Sequence, residues 1–355
     1  MFKIFGAPSR YVQGPGALQT LGEHIRMLDH SATLVIDSFV HDQYGEHIAA
    51  ICAKHEVALT VLLVQGDLTP ESIAALCEQA LQSKAEVIVA AGGGKSLDAG
   101  KGVAKATGRP LITVPTVASN DAPTSKNYVL YDAHHRLLAV EHMRLNPAAV
   151  VVDTSIIAAA PRHFFLAGIG DAISKKFEAE QCFASGGRNM YDGRSTLTAQ
   201  AIAQACLETL LADGESALQA AGTGEPTPAF ERSVEAMILM SGLGFESGGL
   251  SIAHALTRGL PHIPGVATAL HGLQVAVGLL IQLDLEERSD NSLETVRAWY
   301  GRMGLPTRLR DIGAQATSDE QWRTAARLTL EARHAANFKR PLDVDTLVSA
   351  LQRHS

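Results

Sequence analysis

The sequence predicts an α/β domain over residues 1–160, followed by an all-helical domain over residues 161–355. Three observations carry that prediction. Up to about residue 155, short β-branched runs alternate with helix-like stretches, the mark of a parallel sheet with helices on both faces. From Pro161 the composition turns to Ala, Leu, Glu and Gln, with apolar residues at helical spacing. A chain of 355 residues also exceeds what one ordinary hydrophobic core encloses.

The strand-like runs are Thr33–Ile36, Leu59–Val64, Val87–Ala91, Leu111–Val114, Tyr128–Tyr131 and Val150–Val152. Helix-like stretches such as Glu71–Leu81 and Ser96–Ala106 separate several of them. In the second half, Thr196–Leu211, Glu231–Leu243 and Glu320–His334 are rich in helix formers and repeat apolar residues at the helical period. There is no tandem repeat and no low-complexity segment.

Composition narrows the function. Apolar residues make up 46% and charged residues 19%, which excludes a disordered chain. The 30 basic and 37 acidic residues give a net charge of −7 without any Lys/Arg block. That excludes a nucleic-acid footprint and reads as solubility. Cys52, Cys77, Cys182 and Cys206 contain no C-x-x-C pair, so they form neither a disulfide framework nor a zinc knuckle. Buried small hydrophobes in a reducing cytosol are expected instead. Met1–Gly6 lacks the long apolar stretch of a signal peptide, and the apolar run Val275–Leu283 contains Gln282 and is too short for a bilayer. A cytoplasmic protein with no membrane partner is the expectation.

Val87–Ala91 runs into Gly92-Gly93-Gly94-Lys95-Ser96 and then into Leu97-Asp98-Ala99-Gly100-Lys101. A strand that ends in three glycines and opens a helix suits a phosphate. Glycines let it approach the backbone, and the helix start offers N–H groups and the positive end of the dipole. A tight turn without a ligand needs fewer glycines. Lys95 adds a cation. The run matches neither G-x-x-x-x-G-K-[ST] nor G-x-G-x-x-G, which argues against nucleoside triphosphate hydrolysis. Asp37 closes the run Thr33–Ile36. An acid at a strand end binds adenosine ribose hydroxyls and repels a 2′-phosphate, although by itself it reads equally as a helix cap. Combined with the glycine turn, it favours NAD over NADP.

In the second half, Gly168-Ile169-Gly170-Asp171 reads as the opening of a helix through Ala172, Ile173 and Phe177. His254 sits among small residues at the end of Gly244–His254, and His271-Gly272 follows. One carboxylate and two imidazoles suit Zn²⁺ or Fe²⁺ and leave a coordination position open for substrate. Taken singly, Asp171 reads as an N-cap and His254 as a packed core histidine. His262, His134 and His135 have no comparable context and read as surface or structural residues.

Gly92–Asp98 resembles the G-G-G-K-x-x-D turn of the iron-containing alcohol dehydrogenase superfamily. Pro115-Thr116-Val117-Ala118-Ser119-Asn120-Asp121-Ala122-Pro123, Ala167–Ala172 and Ser241–Leu250 resemble its glycerol dehydrogenase branch, in order along the chain. The resemblance implies a Rossmann-like NAD domain, a helical metal-binding domain and a cleft between them. It implies cofactor contacts at Asp37, Gly93, Gly94, Lys95, Asp98, Thr116, Ser119, Ser125, Asn127 and Tyr131. It implies metal ligands at Asp171, His254 and His271, and a substrate-contacting acid at Asp121; these four form the implied catalytic set. Lys175 stands where iron-type relatives carry a further His. The three-ligand pattern therefore favours Zn²⁺, with Fe²⁺ or another divalent metal as alternatives.

The activity implied is reversible NAD-linked oxidation of a secondary hydroxyl on glycerol or a related small polyol, by a homo-oligomer between dimer and octamer. Asn120 and Lys126-Asn127-Tyr128 depart from the branch pattern. They keep open a 2-hydroxy acid or an α-hydroxy ketone as substrate. A dehydroquinate synthase-like lyase shares the fold but needs more basic residues than flank His254 and His271. A non-catalytic NAD-binding protein has no need of the metal set.

Overall fold

A computed structural model describes residues 1–132 and 137–355, so His134 and His135 lie outside the described residues. The chain forms two compact units. An α/β unit comprises Ala7–Pro161 and Ala220–Val234; a helical unit comprises Met1–Gly6, Arg162–Gln219 and Glu235–Ser355. The sequence reading divides the chain once, near residue 160. In the structure residues 1–6 belong to the helical unit, and residues 220–234 belong to the α/β unit.

The strands are β1 (Tyr11–Gly14), β2 (Ser31–Asp37), β3 (Ala58–Val64), β4 (Val87–Gly92), β5 (Leu111–Pro115), β6 (Asn127–Tyr131), β7 (Leu137–His142) and β8 (Ala149–Asp153). Six of them form a parallel sheet in the order β1-β8-β5-β4-β2-β3. Helices α1 (Leu21–Arg26), α2 (Ser38–Lys54), α3 (Pro70–Gln82) and α4 (Gly94–Thr107) belong to this unit. Every residue of β4, β5 and β8 is buried, which is why they read as unbroken apolar runs. Successive side chains feed opposite cores. Leu34, Ile36, Val89 and Ala91 join one cluster, and Val35, Ile88 and Ala90 the other.

One run behaves differently from the expectation. Tyr128–Tyr131 falls in β6, which pairs antiparallel with β7 outside the main sheet. The four half-buried residues of β1 lack the apolar run that marks the other strands.

The strand order reverses at β2. Its partner β3 lies on one side, and β4 and then β5 lie on the other. Ile36 pairs with Ala91, and Gly92 pairs with Pro115, so the carboxyl ends of β2, β4 and β5 are neighbours. Such a switch point is where open α/β sheets bind ligands.

Helix α5 (Thr154–Ala159) closes the first part of the α/β unit. The helical unit is built from α6 (Arg162–Ala172), α7 (Lys175–Ser185), α8 (Leu197–Ala220), α10 (Ser241–Gly248), α11 (Ile252–Gly259) and α12 (His271–Glu286), whereas α9 (Pro228–Glu235), which precedes α10, falls in the α/β unit up to Val234. Three further helices follow, α13 (Ser292–Met303), α14 (Asp319–Glu331) and α15 (Val344–Arg353). The expected helix over Glu231–Leu243 is interrupted by a π-helical turn at Ala236–Met240. The expected helix over Glu320–His334 ends at Glu331 and continues as a 3₁₀ turn. All four cysteines are buried, and none is in a disulfide. No single helix among the described residues is long and apolar enough to cross a membrane.

Asp171 does not open a helix. Gly168–Asp171 lies in the last turns of α6. Gly170 serves close packing instead. A Cβ on Gly170 would stand 2.6 Å from Gly272 O, and one on Gly272 would stand 1.9 Å from Ala167 O. Helices α6 and α12 therefore meet backbone to backbone, which sets Asp171 beside His271. Overpacking costs ~1–3 kcal/mol in an ordinary core, and here the obstacle is main chain. Gly272→Ala is expected to destabilise the protein by about 3 kcal/mol in urea unfolding; an unchanged midpoint would contradict this packing.

Candidate active site

The turn after β4 shows which glycines the fold itself requires. Gly92 has φ of +137°, and a Cβ there would lie 2.8 Å from the Ser96 side chain and 3.0 Å from Asp37 Oδ2. At Gly93 a Cβ would meet only Val117 at 3.5 Å, and at Gly94 only Asn120 at 3.4 Å. Packing thus demands Gly92, whereas a Cβ at the next two positions would meet only ordinary van der Waals contacts. Helix α4 starts at this turn with no side-chain cap and no acid in its first turn. An uncapped helix start that opens on glycines fits a phosphate group.

Asp37 has the capping role considered for it, and a second bond beside it. Its Oδ1 accepts from Val40 N at 3.0 Å and caps α2. Its Oδ2 accepts from Ser96 Oγ at 2.9 Å and ties β2 to the first turn of α4. Thr116 is buried, its N–H donating to Gly92 O at 3.1 Å, and Ser119 is half-buried in the loop after β5. Lys95 is turned toward the loop after β3. Its Nζ donates to Gly66 O at 2.9 Å and lies 3.6 Å from Asp67.

A buried lysine gathers most of the remaining cofactor candidates. Lys101 Nζ donates to Asp98 Oδ1 (3.2 Å), Ser125 Oγ (3.3 Å) and Asn127 O (2.6 Å). Asp98 Oδ2 accepts from Val129 N at 3.0 Å, so α4 holds β6. Burial pushes the Asp98 carboxyl up, and Lys101 opposes it. Tyr131, its phenol also pushed up by burial, donates its N–H to Leu68 O. Asp121 is buried, and its carbonyl accepts from Thr124 N at 3.3 Å.

The helical unit brings Asp171, His254 and His271 together. One ligand atom from each lies within 4.8 Å of the others. Asp171 Oδ1 is 3.1 Å from His254 Nε2 and 3.9 Å from His271 Nε2. Asp171 and His254 are buried, whereas the side chain of His271, the first residue of α12, is 47% exposed. A carboxylate and two imidazoles converging from α6, α11 and α12, with one open side, fit a divalent transition-metal ion.

Glu178 and Lys175, which sequence reasoning left outside the site, complete the cluster. Glu178 is fully buried on α7. Its Oε1 accepts from Ser251 N and His254 N, both at 2.9 Å, and supplies the cap that α11 lacks among its own side chains. Its Oε2 lies 2.5 Å from His254 Nδ1 and accepts from Ser174 Oγ at 3.0 Å. A proton held on Nδ1 by Glu178 aims Nε2 at Asp171. Lys175, also buried, donates to Asp171 Oδ1 at 2.7 Å and lies 2.9 Å from His254 Nε2.

Burial opposes charge on each of these groups, and their neighbours restore it. Lys175 and His254 hold the Asp171 carboxyl well below the carboxylate range. His254 lowers Glu178 to about 2. Glu178 and Asp171 push the His254 imidazole up to about 9, against Lys175. The signal in the sequence was the spacing of Lys175 and Glu178, three apart on one face of α7, with Asp171 four residues before Lys175. Glu178→Ala would strip acceptors from two buried N–H groups and one imidazole. A loss of roughly 3 kcal/mol or more is expected in urea unfolding; a loss below about 1 kcal/mol would show that Glu178 is not the shared acceptor.

Known proteins resemble this chain over most of its length. Residues 8–154 match the model of the iron-containing alcohol dehydrogenase family. A glycerol dehydrogenase of Thermotoga maritima is 40% identical over 88% of this chain and 85% of its own. A glycolaldehyde reductase of Halobacterium salinarum is 36% identical over 90% of this chain and 87% of its own. The crystal structure of glycerol dehydrogenase from Schizosaccharomyces pombe superposes with a TM-score of 0.95 at 32% identity, covering 99% of this chain and 90% of that one. The chain belongs to the iron-containing alcohol dehydrogenase family, in its glycerol dehydrogenase branch.

Proposed function

We propose that the chain reversibly oxidises a secondary hydroxyl of glycerol, or of a related small polyol, to the ketone, with NAD as hydride acceptor and Zn²⁺ held by Asp171, His254 and His271. The observation that carries this reading is the convergence of those three donors in a chain of this branch. The dinucleotide supplies the hydride acceptor, and the divalent ion supplies the Lewis acidity that makes a hydroxyl easier to deprotonate. In the forward direction a hydride leaves the carbinol carbon and a proton leaves its hydroxyl. The reverse reaction returns both.

The chain's own residues bind and orient. Gly93, Gly94 and the first turn of α4 receive the pyrophosphate, and Lys95 adds charge at the rim. Asp37 takes the adenosine ribose and repels a 2′-phosphate. Thr116 and Ser119 continue the cofactor contacts along the loop after β5. Asp98, Ser125, Asn127 and Tyr131 line the cofactor as one wall, kept rigid by Lys101. Asp121 accepts a second hydroxyl of the polyol. Glu178 keeps the proton of the neutral His254 imidazole on Nδ1, so that the Nε2 lone pair is left for the ion.

His254→Ala and His271→Ala are each expected to abolish NADH formation from glycerol while leaving NAD affinity within about threefold of wild type, because the cofactor residues stand on the other unit. Near-wild-type turnover of either variant in metal-replete buffer would defeat the three-donor set. Asp37→Asn separates charge from capping, since Asn caps as well as Asp. Stability should hold within about 0.5 kcal/mol, while the preference for NAD over NADP in kcat/KM narrows roughly tenfold. An unchanged preference would remove Asp37 from cofactor selection.

A further inference from the structure

Lys175 is the member of the buried cluster that the proposed function does not use. Its side chain is 1% exposed, as is that of Asp171. Its Nζ contacts the carboxylate oxygen that faces both imidazoles, and it contacts Nε2 of His254 as well. These are two of the atoms proposed to hold the divalent ion.

Two arguments show that the ammonium and the ion compete. The first is the lone pair. To ligate a metal the His254 imidazole must be neutral, and with Glu178 facing Nδ1 its one lone pair is then on Nε2. The lone pair on Nε2 then either accepts from Lys175 or ligates a metal. The second is charge. An ion ligated at ~2.1 Å by Asp171 Oδ1 would stand within about 5 Å of an ammonium that is 2.7 Å from the same oxygen. Asp171 and Glu178 bring two buried negative charges and Lys175 one positive charge. A divalent ion added to that set leaves a buried positive excess, whereas with a neutral residue at 175 the charges close.

We propose that the Lys175 ammonium and the divalent ion are alternative occupants of the Asp171–His254 contact, so that loading the metal displaces Lys175. Lys175 thereby holds the ligands in place in the metal-stripped protein and lowers affinity for the ion. A centre of this kind exchanges its metal more readily than one with a neutral residue at this position. The inference rests on the reading of Asp171, His254 and His271 as ligands.

The test is direct binding. Full-length protein is stripped with a chelator, and Zn²⁺ is titrated in competition with a chromophoric chelator. Lys175→Met and Lys175→Gln are expected to bind Zn²⁺ about tenfold more tightly than wild type, and Lys175→Arg no more tightly. Stripped Lys175→Met should melt below stripped wild type, and zinc should raise its melting temperature by more. If wild type and both neutral variants bind zinc equally, the displacement is wrong while the ligand set stands. If none of them binds zinc, both fall. Should Lys175→Met fail to fold, Lys175→Gln carries the comparison. A crystal structure of the zinc form with Lys175 Nζ still within 3 Å of His254 Nε2, as at 2.9 Å here, would also overturn the proposal.

Discussion

Asp171 and Glu178 carry two carboxylates into the interior of the helical unit, and much of that unit is arranged to satisfy them. A buried charge without partners costs several kcal/mol, so each oxygen must be answered. Glu178 is answered by the first N–H groups of α11, by Ser174 and by His254. Asp171 is answered by Lys175 and His254. The contacts that satisfy these acids also aim the imidazole of His254. The backbone crossing of α6 and α12 at Gly170 and Gly272 then brings His271 to the same oxygen.

The α/β unit solves a similar problem with the opposite sign. Lys101 is completely buried, and Asp98, Ser125 and the carbonyl of Asn127 surround its ammonium. That pairing fastens the β6–β7 hairpin to α4. It turns several separately placed polar residues into one wall next to the glycine turn. Asp37 does related work on the other side, since capping α2 and binding Ser96 fix its carboxylate at the end of β2.

The parts of this structure that were legible in the sequence are those with a local cause. β4, β5 and β8 are buried on both faces, so they appear as unbroken apolar runs. The glycine turn announces itself because Gly92 must take a positive φ. Asp171, His254 and His271 were visible through family resemblance, since nothing in their spacing alone sets them together. What escaped was non-local. β1 has no apolar pattern of its own and is a strand because β8 offers it an edge. Gly168–Asp171 looks like a helix start because glycines usually interrupt helices, yet the backbone approach of α12 requires Gly170 within α6. Lys175 and Glu178 look like an ordinary charged helix face. Only the bonds of Glu178 to the start of α11 and of Lys175 to Asp171 show that these side chains are buried and committed to that cluster.

The central claim is a divalent centre on Asp171, His254 and His271 in an NAD-linked dehydrogenase. The most direct measurement is anomalous X-ray diffraction at the zinc edge from crystals grown with Zn²⁺ and NAD. The account predicts a single strong peak at ~2.0–2.2 Å from a carboxylate oxygen of Asp171 and from one ring nitrogen each of His254 and His271. A peak bound elsewhere, or none at these residues while zinc is present in the crystal, would contradict it.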